Sequence, residues 1–288
     1  MTGRKLGPIS DAVGETHRAW LEPLRRRFLA SGVTVGELAD QSRYSKSKIS
    51  ELLRGEGLYP RWEIIHSVLR ILQIPPGPMC RLWMAAALEA NKKKEWIEGC
   101  IDTAVRTTVP RLPPLDHRAF ALSNTAAYTR YGEVFLRDKV RVRTAVSNTF
   151  DILWLRWDEA LRSPQLQRFA WRIFRRTVMS RTPHTGGCPE LRSAAFDTVA
   201  LDSAPGADPF AQLEESLTVM TAISRLPAQQ LDVVVFKHLR RMENAAIADV
   251  LGVPEASVQQ AARYAVRQLN QMLGLKGETD EEGPFLWQ

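Results

Sequence analysis

Apolar residues in this chain recur at the three- and four-residue spacing of helices, and almost nowhere in the strict alternation of a half-buried strand. That periodicity predicts an all-α protein. Proline and glycine cut the pattern into segments. One break is Ile74-Pro75-Pro76-Gly77-Pro78. A second is Val109-Pro110-Arg111-Leu112-Pro113-Pro114. A third, broader break runs from Thr182 to Pro209 and holds PHTGGCP and DSAPGADP. With 288 residues, the chain is expected to form two or three small domains.

Charge is unevenly distributed. Residues 1–110 carry 17 Lys and Arg against 12 Asp and Glu. Residues 111–200 carry 15 against 8, and residues 201–288 carry 7 against 12. A basic front and middle points to a polyanionic partner, most simply nucleic acid. The alternative is a basic protein with no such partner.

Several functional classes are excluded or unsupported. No apolar run approaches the roughly 18 residues of a membrane-spanning helix. The basic N-terminus has no apolar core behind it, so no secretory signal is expected. Cys80, Cys100 and Cys188 are odd in number and far apart, which fits a reducing cytoplasm better than a disulfide framework. His184 and Cys188 alone do not make a tetrahedral zinc set. His17, His66, His117, His184 and His238 are scattered with no acid or thiol at a suggestive spacing. No glycine-rich phosphate loop, HExxH or GxSxG element occurs. No enzyme activity, cofactor or metal is expected.

Within residues 21–72, four or five short helices are expected. Leu24, Phe28 and Leu29 share a face. Thr34 followed by Glu37 has the spacing of a capping box. Ala39 is small, as a crossing helix requires. Gln41 to Tyr44 form a turn, and Ser45 caps a helix ending at Arg54-Gly55. In that helix Ile49, Leu52 and Leu53 face inward, leaving Lys46, Ser47, Lys48 and Ser50 outward. Short hydroxyls and cations there can reach base edges and phosphates. Arg54 and Arg61 lie where they could clamp phosphate. This segment resembles the Cro and lambda-repressor-like (XRE) DNA-binding domains. The matching words are TVGELADQSRYSKSKISELLRG and PRWEIIHSVLRIL. One departure is Arg43, where that family's turn usually carries a small residue or glycine. The alternative for the segment is a protein-interaction module on the same scaffold. Lys92-Lys93-Lys94 reads as a solvated helix end.

Residues 118–181 hold three amphipathic stretches dense in aromatic rings. Phe150, Trp154, Trp157, Phe169, Trp171 and Phe174 alternate with Arg156, Arg168, Arg172, Arg175, Arg176 and Arg181. Rings and guanidinium groups in this mixture can hold single-stranded bases. Helical spacing of Phe150, Trp154 and Trp157 fits a buried stripe equally well. Arg172, Arg175 and Arg176 are candidates for a nucleic-acid face. The words SNTFDILWLRWDEAL and PQLQRFAWRIFRRTV resemble region 2 of the extracytoplasmic-function sigma factors. The resemblance implies a contact with RNA polymerase core, with Ser147, Asn148 and Asp151 as candidates. The family uses acidic residues and a glutamine there. This chain has Arg141, Arg143, Thr144 and Ser147 at the aligned positions, a charge reversal at an ion-pairing surface.

Further on, Leu213, Leu217, Met220 and Ile223 form a stripe, and Leu226-Pro227 opens a new helix. Ala245 to Leu251 reads as the first helix of a second helix-turn-helix, with Gly252 at the turn. Val253 and Val258 are expected core anchors. The outward residues of the following helix are Glu255, Ser257, Gln259, Gln260, Arg263 and Arg267. The LP…IADVLGVPEASV pattern resembles sigma region 4, which implies reading of promoter DNA. The family is usually more basic on this helix.

The expected organisation is therefore a flexible segment 1–17, an XRE-like domain 18–90 and a linker 91–117. A sigma region 2-like domain 118–181, a linker 182–210, a region 4-like domain 211–275 and an acidic tail 276–288 follow. These make three helical modules: an XRE-like five-helix domain, a region 2-like bundle and a region 4-like helix-turn-helix. The resemblance implies a bacterial transcription regulator in the cytoplasm, at the nucleoid. Its partners would be promoter or operator duplex DNA, RNA polymerase core, and a second copy on half-sites about one helical turn apart. Three readings stay open: a working sigma factor, a sigma-shaped DNA-binding regulator without the polymerase contact, and a module that sequesters a sigma or anti-sigma partner.

Overall fold

The structure, a computed structural model, describes residues 6–104, 112–192 and 209–274. The expected acidic tail 276–288, the Val109-Pro110-Arg111 break and nearly all of DSAPGADP lie outside the described residues. The chain is all-α, as the periodicity predicts. Among the described residues the sole β-structure is a hairpin, His184–Thr185 with Cys188–Pro189, turned by Gly186 and Gly187. None of the described helices is long and apolar enough to cross a membrane. The described residues fall into two compact units, one within Met1–Ala119 and Asn148–Glu159 and the other within Phe120–Ser147 and Ala160–Gln288.

The first unit starts with α1 (Glu15–Ser31), α2 (Val35–Ser42) and α3 (Lys46–Arg54). It continues with α4 (Trp62–Leu72), α5 (Pro76–Glu89) and α6 (Lys94–Ala104). Apolar stripes meet in one core: Trp20, Leu21 and Leu24 from α1, Leu38 from α2, Ile49 and Leu53 from α3, and Ile65 and Val68 from α4. Leu29 is 60% exposed, so the expected α1 face stops at Phe28. Trp83 lies 5.6 Å from Trp62 and 5.8 Å from Trp96, and its indole donates to the Pro60 carbonyl at 3.0 Å. Residues ahead of α1 lie against the helix-turn-helix. The Ser10 amide donates to the Arg54 carbonyl at 2.9 Å, and Arg25 donates to the carbonyls of Leu53 and Gly7.

This unit also takes the start of α7 (Leu115–Phe135) and the last part of α8 (Lys139–Leu155). Trp157 donates its indole proton to Asp116 at 3.0 Å, and its ring meets His117 edge-on at 4.9 Å. Asp151 is 5% exposed and holds Arg81 of α5 through two bonds of 2.8 and 2.5 Å. Burial pushes the Asp151 carboxyl up, and the guanidinium pulls against that.

The second unit is built around α10 (Leu166–Met179), after the short α9 (Trp157–Arg162). It goes on through α11 (Pro209–Ser224), α12 (Ala228–Val234), α13 (Asn244–Leu251) and α14 (Glu255–Leu273). Residues 231–236 are all buried, and the helix widens into one π-turn at Val235–Leu239. That turn places Phe236 5.3 Å from both Tyr131 and Trp171. At the centre sits Asp232, 4% exposed. It accepts from the Tyr131 hydroxyl at 2.6 Å, the Trp171 indole at 3.0 Å and Arg175 Nε at 2.9 Å. Burial pushes its carboxyl up; the Arg175 charge and the three donors oppose that.

Two stability predictions follow from these groups. Asp232→Asn leaves Arg175 without its counter-charge and is expected to cost about 3–5 kcal/mol in urea unfolding, whereas an apolar replacement of both partners recovers much of the loss. A cost under about 1 kcal/mol would sink this account. In the first unit, His17 stacks on Trp20 at 4.8 Å, and its Nε2 is buried with no hydrogen-bond partner. Burial, with Arg18 beside it, lowers the imidazole to about 4 from the ordinary 6.5. Between those values the unfolded chain binds more protons, so stability drops as pH falls from about 6.5 to 4. His17→Phe keeps the stack and should lessen the drop. His238 of the second unit, held at about 4 by burial, keeps its own share. The check is the unfolding midpoint against pH for both proteins.

Candidate nucleic-acid interface

In the first helix-turn-helix, the turn and caps set the angle of α3. Thr34 and Glu37 make the expected capping box. The Thr34 hydroxyl accepts from the Glu37 amide at 3.2 Å, and the Thr34 amide donates to the Glu37 carboxylate at 2.8 Å. The Thr34 amide foremost, and the Thr34 hydroxyl that also donates to the Glu37 carboxylate at 2.8 Å, hold that carboxyl below the usual range. Arg43 ends α2 with φ 59°, a left-handed conformation that an L-side chain adopts at a cost. Its amide reaches the carbonyls of Ala39 and Asp40. Ala39 is 1% exposed, as a close helix crossing requires. At the far end of α3, Gly55 has φ 68°, and a β-carbon there would lie 2.5 Å from the Val13 side chain.

On α3, Ser45, Lys46, Ser47 and Lys48 are all exposed at its N-terminal end. The Ser45 hydroxyl accepts the Lys48 amide at 3.3 Å, which leaves its proton to donate outward. Lys46 lies over Gly36, and Lys48 is 3.7 Å from Glu51. Ser50 is half-buried and its carbonyl receives Arg54 Nε, so it contributes less to the outward face than expected. Arg54 also pairs with Glu56 at 2.8 Å, and Arg61 with Glu63 at 2.9 Å. Glu56 and Arg61 are exposed, with Arg54 and Glu63 half-buried, and pairs so near the surface are cheap to exchange for phosphate.

In the second helix-turn-helix, Gly252 supplies the left-handed turn with φ 63°. Val258 is fully buried; Val253, the other expected anchor, is half-buried. In the stripe expected on α11, Met220 and Ile223 are buried and Leu217 is 49% exposed. On α14 the outward residues are Glu255, Gln259, Gln260, Arg263 and Arg267, with Ser257 half-buried. Tyr264, which the sequence reading passed over, is 47% exposed, with the Arg267 guanidinium 5.9 Å from its ring centre. Its place four residues after Gln260 was the available signal.

Between the two motifs, several expected contacts turn inward. Phe169, Trp171 and Phe174 are 7%, 5% and 0% exposed, and Trp157 is 5% exposed. These rings are core, so no single-strand stacking platform forms from them. Arg175, expected on a nucleic-acid face, is held by Asp232 and is withdrawn from that face. Arg172 and Arg176 remain exposed on α10. Of the polymerase candidates, Asn148 is 4% exposed and Asp151 is buried against Arg81; only Ser147 is exposed. A buried carboxylate that is already paired with a guanidinium has little to offer a partner protein.

The comparisons with known proteins agree with both motifs. The family model described as "Helix-turn-helix domain" matches residues 21–82. The one described as "Sigma-70, region 4" matches residues 216–269. No curated protein matches the chain. The chain thus carries an XRE-like helix-turn-helix segment and a sigma region 4-like segment, and these support a DNA-binding transcription regulator. Both families are regulatory domains rather than enzymatic ones.

The strained turn gives a direct test. Arg43→Gly removes the left-handed penalty and should raise unfolding stability by about 1 kcal/mol. Urea titration of both proteins measures it; a loss of stability would mean that the arginine side chain holds the turn by contacts worth more than the strain.

Proposed function

We propose that the protein is a sigma-shaped regulator that reads operator or promoter DNA and lacks the family's usual grip on RNA polymerase. The observation that carries the reading is the N-terminal end of α3. Two lysines and two serines stand exposed there, on a helix whose caps and core contacts fix its direction. Lys46 and Lys48 supply charge to phosphate, and Ser45 and Ser47 supply short hydroxyls to phosphate or base edges. Arg54 and Arg61 grip the flanking backbone. On the second motif Gln259 and Gln260 are suited to adenine, with Arg263 and Arg267 beside them.

Loss of the polymerase contact is supported by Asp151, whose carboxylate is buried on Arg81, and by the exposed cations Arg141 and Arg143. Cations on that surface would repel the positive partner surface that the family's acids attract. In this reading the protein works in the cytoplasm on chromosomal DNA, with paired copies on adjacent half-sites.

The test uses the full chain in two parallel captures, one with purified core polymerase and one with genomic duplex fragments. Retention of specific fragments without core supports the proposal. Association with core and promoter-dependent transcripts would make it a working sigma factor instead. Capture of neither would favour a module that sequesters a protein partner. Lys46→Ala with Lys48→Ala should weaken retention evenly across sequences and lower the salt slope of log K by about 2.

A further inference from the structure

The second motif has a shortage that its own helices do not remedy. The outward face of α14 carries Arg263 and Arg267, but also Glu255, and few phosphate contacts mean little counterion release. A neighbouring helix of the same unit can supply the missing charge. Over its whole length, Leu166–Met179, α10 holds four arginines and no acid. Phe169, Ala170, Ile173, Phe174 and Val178 form its buried side. Arg168, Arg172 and Arg176 recur every four residues on its exposed side. Arg168 and Arg172 are therefore about 6 Å apart along the axis.

The placement of this stripe is not arbitrary. α10 packs against α13, the first helix of the motif. At the turn, a β-carbon on Gly252 would lie 2.3 Å from the Arg168 backbone nitrogen and 3.0 Å from its α-carbon. The start of α10 therefore abuts the turn that leads into α14. The N-terminal end of such a helix is the end that meets base edges. Arg175 fixes α10 in this position through Asp232 of α12. The outward face of α14 stays uncovered, since Gln259, Gln260 and Arg263 are exposed. The rings beside the arginines are buried, which removes the means to stack unpaired bases and favours duplex DNA.

We propose that Arg168 and Arg172 belong to the same duplex-DNA surface as α14, gripping phosphates that flank the groove α14 enters. This rests on the DNA-binding reading above and assigns α10 to the second motif rather than to a separate single-strand site. In the sequence Arg168 stands only among the guanidinium groups interleaved with rings. Its backbone touch on Gly252 is what brings it in.

The experiment uses the full chain and one genomic duplex fragment that the wild-type protein retains. Affinity is measured from about 50 to 200 mM salt, and hydroxyl-radical footprints are taken. Arg168→Ala with Arg172→Ala should keep the thermal melt and lower the salt slope by about 2. It should also lose the protected tract that Gln260→Ala weakens, while the tract dependent on Lys46 and Lys48 stays. Replacement of both arginines by lysine should restore most of the slope. Unchanged slope and footprint in the alanine pair, with wild-type binding intact, would overturn the inference and leave the DNA-binding reading standing. Loss of the Lys46-dependent tract instead would overturn it too. If the wild type binds core polymerase through these arginines and retains no duplex, both proposals fail together.

Discussion

The second unit depends on one buried carboxylate. Asp232 is 4% exposed, and an uncompensated charge there would be prohibitive. Its donors come from α7 through Tyr131 and from α10 through Trp171 and Arg175, while Asp232 itself stands on α12. Satisfying them requires these three helices in one arrangement. Burial alone would lower the Arg175 guanidinium, yet its neighbours Asp232 and Tyr131 leave it raised, so the pair stabilises each other's charged form. The π-turn after α12 completes the site by bringing Phe236 against the Tyr131 and Trp171 rings. An apolar core would pack these helices as tightly, but the ion pair adds direction: a slipped register leaves a buried charge unmet.

The same turn is built in two chemistries. Both motifs need a left-handed residue after their first helix. In the second, Gly252 meets the need without strain, and its missing side chain also lets the backbone of Arg168 come close. In the first, Arg43 takes φ 59° with a full side chain, and it does so in a position that is exposed. That side chain is exposed, so the cost there is one of conformation. A glycine at 252 is therefore required twice over, by φ and by packing, whereas position 43 is constrained by φ alone.

Much of this was legible in the sequence. The capping box at Thr34, the inward set Ile49, Leu52 and Leu53, and the glycine turn at 252 follow from local spacing, because caps and helix faces are decided within a few residues. What local spacing cannot carry is a pairing over long separation. Asp232 lies inside the apolar run LDVVVF, where local spacing names no partner for it; only the fold brings Arg175 and Tyr131 to it. Arg81 and Asp151 meet in the same way, 70 residues apart. The interleaving of rings and arginines on α10 was ambiguous for a different reason. A helix with one buried side produces that alternation whether the exposed side binds anything or not. The π-turn has no sequence mark that periodicity would reveal.

These long-range pairs decide what remains for a partner. Arg175 and Asp151 are charges that a linear reading would offer to nucleic acid and to polymerase, and each is instead neutralised inside its own unit. Asp232 is buried, so lending Arg175 to a binding event would leave its charge unmet at a cost of several kcal/mol, and Asp151 is itself buried against the half-exposed Arg81. In the proposed reading, phosphate contact falls to charges held at the surface: Lys46 and Lys48 at the start of α3, and Arg168 and Arg172 on α10. Those are the groups whose counter-charge can be exchanged for phosphate at little expense. The division follows from burial rather than from residue type. Three of the four arginines on α10 face solvent, and the fourth, three residues after Arg172, holds the helix in place.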